Sequence, residues 1–267
     1  MLTIKHILFP CDFSEQCSSA VPFITAIASR FDARVTLLSV TAPGWAEPQF
    51  RLETELVEEF AGFPVQTVKS SGDPALKITE FAHDNEVDLI MMPTHGYGLF
   101  RSLLIGSVTA KVLHDAKCPV WTATHAEEQQ LTNMPRTILC AVDGTPKSLA
   151  VLQWASAFSQ QMAATLKLIH VAPRISDALA LPSEAEIQEE VNQQARAKIE
   201  SLKASAGVEA DLQIALGSVA EAVAGAAEQQ GINLVLIGRG SLQETLGRLR
   251  THAYGIIHKS PCPVLSI

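Results

Sequence analysis

The sequence lacks the features that mark secreted, membrane-spanning and disulfide-stabilised proteins. Its five cysteines are odd in number and form no C-x-x-C pair, and a chain of 267 residues needs no disulfide to fold. No apolar run approaches the roughly 20 residues that a transmembrane helix requires. The first residues contain no apolar signal-peptide core. We therefore expect a reduced, cytoplasmic protein that makes no membrane contact.

Positive charge is also scarce, because 20 Lys and Arg residues face 28 Asp and Glu residues, for a net charge of −8. This balance argues against binding to nucleic acid or to an anionic membrane surface. The sequence has no G-x-S-x-G elbow, no Walker A lysine motif and no H-E-x-x-H motif. No residue stands out as a general base, so we predict no catalytic residues.

A metal site is not indicated either. His252, His258 and Cys262 are separated by five and three residues, and the cysteine begins an apolar strand. This spacing is not typical of a zinc site. We therefore predict no metal ligands in the chain.

The sequence does contain two copies of one pattern of alternating strands and helices. Three matched pairs define the repeat: Asp12 with Asp143, Asp88 with Asn233, and Cys118 with Cys262. Such a repeat predicts an α/β fold with two tandem domains, at residues 1–125 and 135–267, joined by a linker near residues 125–135. We expect each domain to be an open parallel five-stranded sheet with helices on both faces.

The strongest site pattern lies in residues 88–96 and in Gly106-Ser107-Val108. The apolar run from Leu89 to Met92 predicts a buried parallel strand, which a loop and a helix starting near Ser107 follow. Unpaired N–H groups at a helix start suit a phosphate, and glycine lets the anion approach the backbone. The alternative is an ordinary strand–loop–helix turn in which Gly106-Ser107 caps the helix.

These motifs resemble those of the universal stress protein family in its tandem two-domain form, over nearly the whole chain. The resemblance is carried by residues 7–14, by Thr94-His95-Gly96 with Gly106-Ser107-Val108, and by Cys118-Pro119-Val120. The ATP-binding branch of that family has the motif G-x-x-G-x9-G-S/T. Here Gly96, Gly106 and Ser107 match this motif, and Pro93 replaces its first glycine. The resemblance implies an adenine nucleotide alpha-hydrolase-like fold.

The resemblance also implies a nucleotide site in the first domain, for ATP, with ADP or AMP as alternatives and Mg²⁺ as an accompanying ion. The residues that it assigns to the site are Pro10, Asp12, Val40, Pro93, His95, Gly96, Gly106, Ser107 and Val108. Pro10 and Asp12 would lie beside adenine and ribose, and Val40 near the base. A turn-capping role for Asp12 is equally consistent with the sequence, as is loop packing for His95.

The second copy departs further from the motif. It keeps Asp143 and a first glycine, Gly238, but Ser241 replaces the second glycine and Thr251-His252 replaces the glycine–serine pair. A branched threonine and a bulky histidine would crowd the place where the backbone must approach a phosphate. We therefore interpret the second domain as a degenerate site.

The resemblance implies a regulatory or protective role in the stress response. The alternatives are a nucleotide-independent interaction or scaffold protein, in which Pro93 has disabled the site, and a weak ATPase with slow hydrolysis.

Each repeat ends in a short apolar strand that would lie at a sheet edge. We predict that the strands around Val120 and Val264 pair antiparallel within one chain, so that Trp121 and Leu265 are buried. Such a contact would be an internal pseudo-dimer of the two domains, with a homodimer of whole chains as the other assembly.

Overall fold

A computed structural model of the protein describes residues 2–13, 15–42, 50–60, 62–94, 105–123, 134–175, 183–239 and 248–267. The chain divides into two compact units, the first made of residues 1–134 with 262–267 and the second of residues 135–261. In the described ranges, no helix is both long enough and apolar enough to cross a membrane.

Strands and helices alternate along the described chain in the predicted order. The elements before the linker are β1 (His6–Pro10), α1 (Glu15–Phe31), β2 (Arg34–Thr41), α2 (Phe50–Glu59), β3 (Val65–Ser71), α3 (Pro74–Asp84), β4 (Leu89–Pro93), α4 (Ser107–Asp115) and β5 (Val120–Ala123). The elements after it are β6 (Thr137–Ala141), α5 (Ser148–Met162), β7 (Thr165–Ala172), α6 (Ser183–Ala206), β8 (Asp211–Leu216), α7 (Val219–Gln229), β9 (Leu234–Ile237), α8 (Arg248–Lys259) and β10 (Val264–Ser266).

The first unit contains a mixed sheet in the order β3-β2-β1-β4-β5-β10. Strands β1 to β5 pair in parallel, as predicted. All five residues of β1 are buried, which explains why this strand has an apolar run without alternation. Strand β3 is more exposed, and its polar end continues to Ser71 through pairing with β2.

Strand β10, from the end of the chain, pairs antiparallel with β5. Val264 lies opposite Thr122, and Leu265 lies opposite Trp121. Trp121 is 2% exposed and Leu265 is fully buried. The predicted antiparallel pairing within one chain is therefore confirmed. The sheet of the first unit therefore has six strands and not five, because β10 is part of this unit and is antiparallel to β5.

The second unit contains the parallel strands β9-β6-β7-β8. Its strand order repeats that of β4-β1-β2-β3 in the first unit, so the internal repeat of the sequence is also a repeat of topology. Helix α6 is longer than its counterpart α2. The α/β fold class predicted from the repeat is thus confirmed.

One side-chain clamp recurs in both units, at the amino ends of the sheets. In the first unit, Oδ2 of Asp88 accepts hydrogen bonds from the backbone N–H groups of Lys5, at 2.7 Å, and His6, at 3.0 Å. In the second unit, Oδ1 of Asn233 accepts from the N–H groups of Arg136, at 3.2 Å, and Thr137, at 3.1 Å. A polar residue before the fourth strand of each repeat therefore ties that strand to the start of the first.

Candidate functional site

The carboxyl ends of β1, β2 and β4 lie side by side in the first unit. Strand β1 pairs with β2 on one side and with β4 on the other, so the direction of the strand order reverses between β1 and β4. Pro10 is level with Leu38, two residues before Val40, and Leu8 is level with Ile90, three residues before Pro93. In open α/β sheets, ligands bind at such a reversal. Three of the predicted site residues, Pro10, Val40 and Pro93, are thus brought to one edge.

Hydrogen bonds hold the start of α4 directly behind the end of β4. The N–H of Gly106 donates to the carbonyl of Thr94 at 3.0 Å, and Oγ1 of Thr109 donates to the carbonyl of Pro93 at 3.2 Å. Thr94 is itself fixed, because its N–H and its hydroxyl both donate to the carbonyl of Ala123 at 3.2 Å. The sequence Pro93-Thr94 and the helix start around Gly106 therefore form one rigid corner.

Helix α4 begins at Ser107 with Gly106 as its cap residue, and among the described residues no side chain caps it with a hydrogen bond. Gly106 has φ −54° and ψ 143°, which any L-residue can adopt, so the backbone conformation does not require glycine here. The N–H groups of Ser107, Val108 and Thr109 belong to the first helical turn and have no acceptor within the helix. Such a turn can receive an anion.

Asp12 follows β1 and is exposed. The N–H of Cys11 donates to the carbonyl of Leu38 at 3.0 Å, which holds this turn against β2. The thiol of Cys17, in the first turns of α1, donates to Oδ1 of Asp12 at 3.4 Å. Asp12 therefore lies at the edge that holds Pro10, Val40 and Pro93, with a buried partner beneath it.

The Cys11 thiol is not a reactive nucleophile. Burial, followed by a hydrogen bond with Cys17, raises the pKa of the Cys11 thiol well above its usual range. The N–H of Phe13 donates to Sγ of Cys11 at 3.1 Å, and Phe13 has a left-handed backbone with φ 61°. Since the thiolate is the reactive form, Cys11 serves packing and hydrogen bonding.

Some predicted residues lie outside the described parts of the chain. They are His95 and Gly96 of the motif, Ser14 of the matched segment 7–14, Ser241 of the second copy, and residues 125–133 of the linker. The assignments made for them remain predictions.

Asp143, the counterpart of Asp12, is held in a turn by several donors. Its Oδ1 accepts from the N–H of Thr145 at 2.9 Å, from the hydroxyl of Thr145 at 2.8 Å and from the hydroxyl of Ser148 at 2.7 Å. Burial raises the pKa of Asp143, but the hydrogen bonds from Thr145 and Ser148 outweigh it, so this pKa is lowered overall. For the second copy, the turn-capping interpretation of the aspartate is therefore the better one.

Helix α6 fills the space beside this turn. Gly144 has φ 74°, and a Cβ atom added to it would come within 3.3 Å of Cδ1 of Ile199 and 3.6 Å of Cε1 of His170. Nδ1 of His170 donates to the carbonyl of Val142 at 2.8 Å. Ile199 is fully buried. The turn after β6 therefore packs at Gly144 against side chains of α6 and β7, while Asp143 itself is exposed.

Gly238, the first motif glycine of the second copy, has a packing explanation. A Cβ atom added there would lie 2.8 Å from Cγ2 of Val151 on α5, closer than such atoms approach one another. In the first copy, the matching positions are Pro93 and the buried Ala20. The second copy thus combines a small Gly238 with a larger Val151, whereas the first copy combines a larger Pro93 with a small Ala20. Retention of this glycine therefore does not indicate a ligand.

Replacing Gly238 with alanine is expected to lower the free energy of unfolding by about 1–3 kcal/mol, because the core beside Val151 becomes overpacked. Val151→Ala in the same chain should recover most of the loss, which a double-mutant cycle in urea would measure. Gly225→Ala is the control, since nothing lies within 4 Å of a Cβ atom there. Gly225 is inside α7, so alanine should stabilise the helix by about 0.5–1 kcal/mol. Equal effects at the two glycines would contradict the packing explanation.

Within the described residues, no group of three or more His, Cys, Asp or Glu side chains is placed to hold a metal ion.

Sequence reasoning missed two hydrogen-bond donors to the aspartates, Cys17 and Ser148. The repeat could have indicated both residues, because Cys17 follows Asp12 by five residues and Ser148 follows Asp143 by the same spacing.

The fold and the edge described above define a doubly wound α/β protein with a candidate ligand site at the reversal of its first sheet. The family model described as "Universal stress protein family" matches residues 45–123 and 134–267. These two matches cover most of the chain, which therefore belongs to the universal stress protein family. The tandem arrangement predicted from the repeat is confirmed with it.

Two curated relatives match about half of the chain each. Universal stress protein Slr1230 of Synechocystis is 33% identical over 123 residues, which cover 45% of this chain and only 42% of that protein. Universal stress protein MJ0531 of Methanocaldococcus jannaschii is 32% identical over 135 residues, which cover 43% of this chain and 79% of that protein. The crystal structure of a universal stress protein from Archaeoglobus fulgidus covers 99% of this chain and 96% of its own, with 21% identity and a TM-score of 0.69. The last similarity shows the fold.

Proposed function

We propose that the chain binds one adenine nucleotide, ATP or a close relative, in its first unit, and that this occupancy serves a regulatory or protective role in the stress response. The observation that carries the proposal is the start of α4, which is held at the end of β4 and which no side chain from the described ranges caps. Its position beside the reversal between β1 and β4 supports the same conclusion. The triphosphate would bind at this helix start.

The chemistry of the donors fits a phosphate. The first-turn N–H groups of Ser107, Val108 and Thr109 carry partial positive charge, and the Ser107 hydroxyl is an additional donor. The N–H of Gly106 is already used by Thr94, so Gly106 would contribute space and not a hydrogen bond. Mg²⁺ would bind together with the phosphates. ATP titrations with and without Mg²⁺ measure its contribution to the affinity.

The remaining residues of the edge fit the nucleoside. Asp12 is exposed, and its carboxylate can accept hydrogen bonds from ribose hydroxyls. Val40 is partly exposed at the end of β2 and offers an apolar surface to the base. The two packed glycines of the second unit, Gly144 and Gly238, support a single site per chain.

A nucleotide-independent interaction protein is the second candidate, and Pro93 is the observation that favours it. Proline has no N–H, so the first position of the family motif cannot donate to a phosphate here. Native mass spectrometry of gently purified protein separates the two candidates, because only the first predicts a carried-over nucleotide.

Calorimetric titration with ATP is expected to show one site per chain. Gly106→Val should weaken binding by about tenfold or more, which corresponds to about 1.4 kcal/mol, because the branched side chain blocks the approach of the phosphates to the helix start. The backbone angles of Gly106 suit valine, so the folded protein should retain its melting temperature.

Thr251→Val is the matched substitution in the second copy and should leave ATP affinity unchanged. Two equivalent sites, or no heat of binding to the unsubstituted protein, would overturn the proposed function. Equal weakening by Gly106→Val and Thr251→Val would show that the first helix start is not where the phosphates bind.

A further inference from the structure

His6 is buried at the amino end of the first sheet, and both of its ring nitrogens have partners. It begins β1 and is 3% exposed. Nε2 lies 2.9 Å from Oγ1 of Thr36, and Nδ1 lies 3.0 Å from the carbonyl oxygen of Asn85. Nη2 of Arg34 also lies 3.0 Å from Nδ1. One ring nitrogen therefore faces a carbonyl acceptor and a cationic donor at the same time.

The hydrogen bond from Arg34 requires a neutral His6 ring. A guanidinium group only donates, so Nδ1 must carry a lone pair to accept from it, and Nε2–H then donates to Thr36. A protonated ring has an N–H on each nitrogen, and the oxygens of Asn85 and Thr36 are already in place to accept both. Two cations 3.0 Å apart repel each other, and Arg34 is exposed. Protonation therefore favours a ring that stays and an arginine that leaves.

The charges around His6 act in both directions. Burial, the largest influence, lowers the pKa of His6, and the hydrogen bond to Asn85 raises it. The charge of Arg34 lowers this pKa and the charge of Asp88 raises it, so that the pKa is lowered overall. The remaining charged or titratable residues of the neighbouring segments are exposed: Lys5, Asp32, His83, Asp84 and Glu86.

We propose that His6 and Arg34 form a proton-dependent latch at the amino end of the first sheet, in which uptake of one proton by the His6 ring releases the Arg34 guanidinium to solvent. The latch goes beyond the proposed function and does not rest on it, because Pro10 and the candidate site lie at the other end of β1. In the second unit the matching, equally paired positions hold Thr137 and Thr165. The latch therefore gives the first unit an acid response that this pair of the second unit cannot have.

Acid should destabilise the first unit below pH 6.5, where an unfolded histidine takes up its proton. Because the pKa of His6 is lowered in the folded chain, its contribution to stability is complete above this pH and is lost as the pH falls towards the folded pKa. A proton that only the unfolded chain binds changes the unfolding equilibrium constant by about tenfold per pH unit. His6→Gln removes this proton. In urea unfolding, the unsubstituted protein should therefore lose up to about tenfold more per pH unit than His6→Gln does.

Two substitutions that remove a charge should alter this acid loss in opposite directions. Arg34→Gln removes a cation beside the ring and raises the pKa of His6, so the loss should shrink. Asp88→Asn removes an anion but keeps an acceptor oxygen for the backbone, so the pKa falls and the loss should grow. Both variants retain His6 and therefore test the latch even if His6→Gln fails to fold. Equal factors of destabilisation above and below pH 6.5 would show a packing role alone and would overturn the inference.

Nuclear magnetic resonance tests the release of Arg34 itself. With isotope-labelled arginine, the Arg34 signal is assigned by its absence in Arg34→Gln. Its side-chain order parameter should fall below about 0.6 as the His6 ring titrates. An unchanged order parameter across that titration would overturn the latch, as would loss of the folded β1 amide signals before the ring titrates. Neither result alters the ATP titrations, so the proposed function is tested separately.

Discussion

Trp121→Ala is expected to lower the free energy of unfolding of the first unit by about 3–5 kcal/mol, the range for deleting a large buried aromatic side chain. Trp121 lies in β5 between Met91 of β4 and Leu265 of β10. Its ring centroid is 6.2 Å from that of Phe23 on α1. Three strands and one helix therefore surround the indole, and they cannot all move inward to fill the cavity. Urea unfolding followed by far-ultraviolet circular dichroism measures the loss.

Ser266→Ala is the matched control in the same pair of strands. Ser266 is fully buried opposite Val120, and its hydroxyl has no hydrogen-bond partner within the described residues. Because a buried unpaired hydroxyl is unfavourable, its removal should leave the free energy of unfolding unchanged or raise it by about 1 kcal/mol. Trp121→Phe keeps an aromatic ring and should cost less than Trp121→Ala. Equal costs for Trp121→Ala and Ser266→Ala would contradict a packing role for the join between β5 and β10.

Apolar patterns predicted the order of the elements because most of these strands are buried on both faces. Strand β4 is the clearest example, since the unbroken apolar run from Leu89 to Pro93 forms the whole strand. The pattern fails at β3, whose polar residues up to Ser71 belong to the strand only through pairing with β2. An edge strand that faces solvent carries little hydrophobic signal, so its end depends on backbone pairing that the pattern does not record.

Local sequence alone predicted those parts of the candidate site whose residues are neighbours in the chain. Gly106 and Ser107 could be placed at a helix start from local sequence alone. The packing role of Gly238 could not, because the atom that excludes a side chain belongs to Val151 on another element. Cys17 was missed for a related reason. Its bond to Asp12 depends on the first turns of α1 folding back beneath the turn, and a cysteine in an apolar helix face signals only burial.

The repeat also explains why one position accepts either an acid or an amide. Asp88 and Asn233 each use one oxygen to accept two backbone N–H groups from the residues that begin β1 and β6. Both N–H groups are donors, and either a carboxylate or an amide oxygen accepts them. The charge of Asp88 is therefore dispensable for the clamp, whereas its oxygen is not.

Asp88→Ala is expected to lower the free energy of unfolding of the first unit by about 2–4 kcal/mol, because the N–H groups of Lys5 and His6 lose their acceptor. His6 is 3% exposed, so water replaces the lost bond poorly there. Asp88→Asn keeps an oxygen in place, as Asn233 does, and should cost about 1 kcal/mol or less. Both variants are compared with the unsubstituted protein by urea unfolding.

Amide hydrogen exchange identifies the strands that lose stability in Asp88→Ala. Asp88→Ala should speed exchange at the amides of β1 and β4, which the clamp joins, and should leave β6 and β9 unchanged. Asn233→Ala should produce the opposite distribution, with faster exchange in the second unit, so each variant serves as the control for the other. If Asp88→Asn were as destabilising as Asp88→Ala, the charge of Asp88, and not its acceptor oxygen, would be what stabilises the amino end of the sheet.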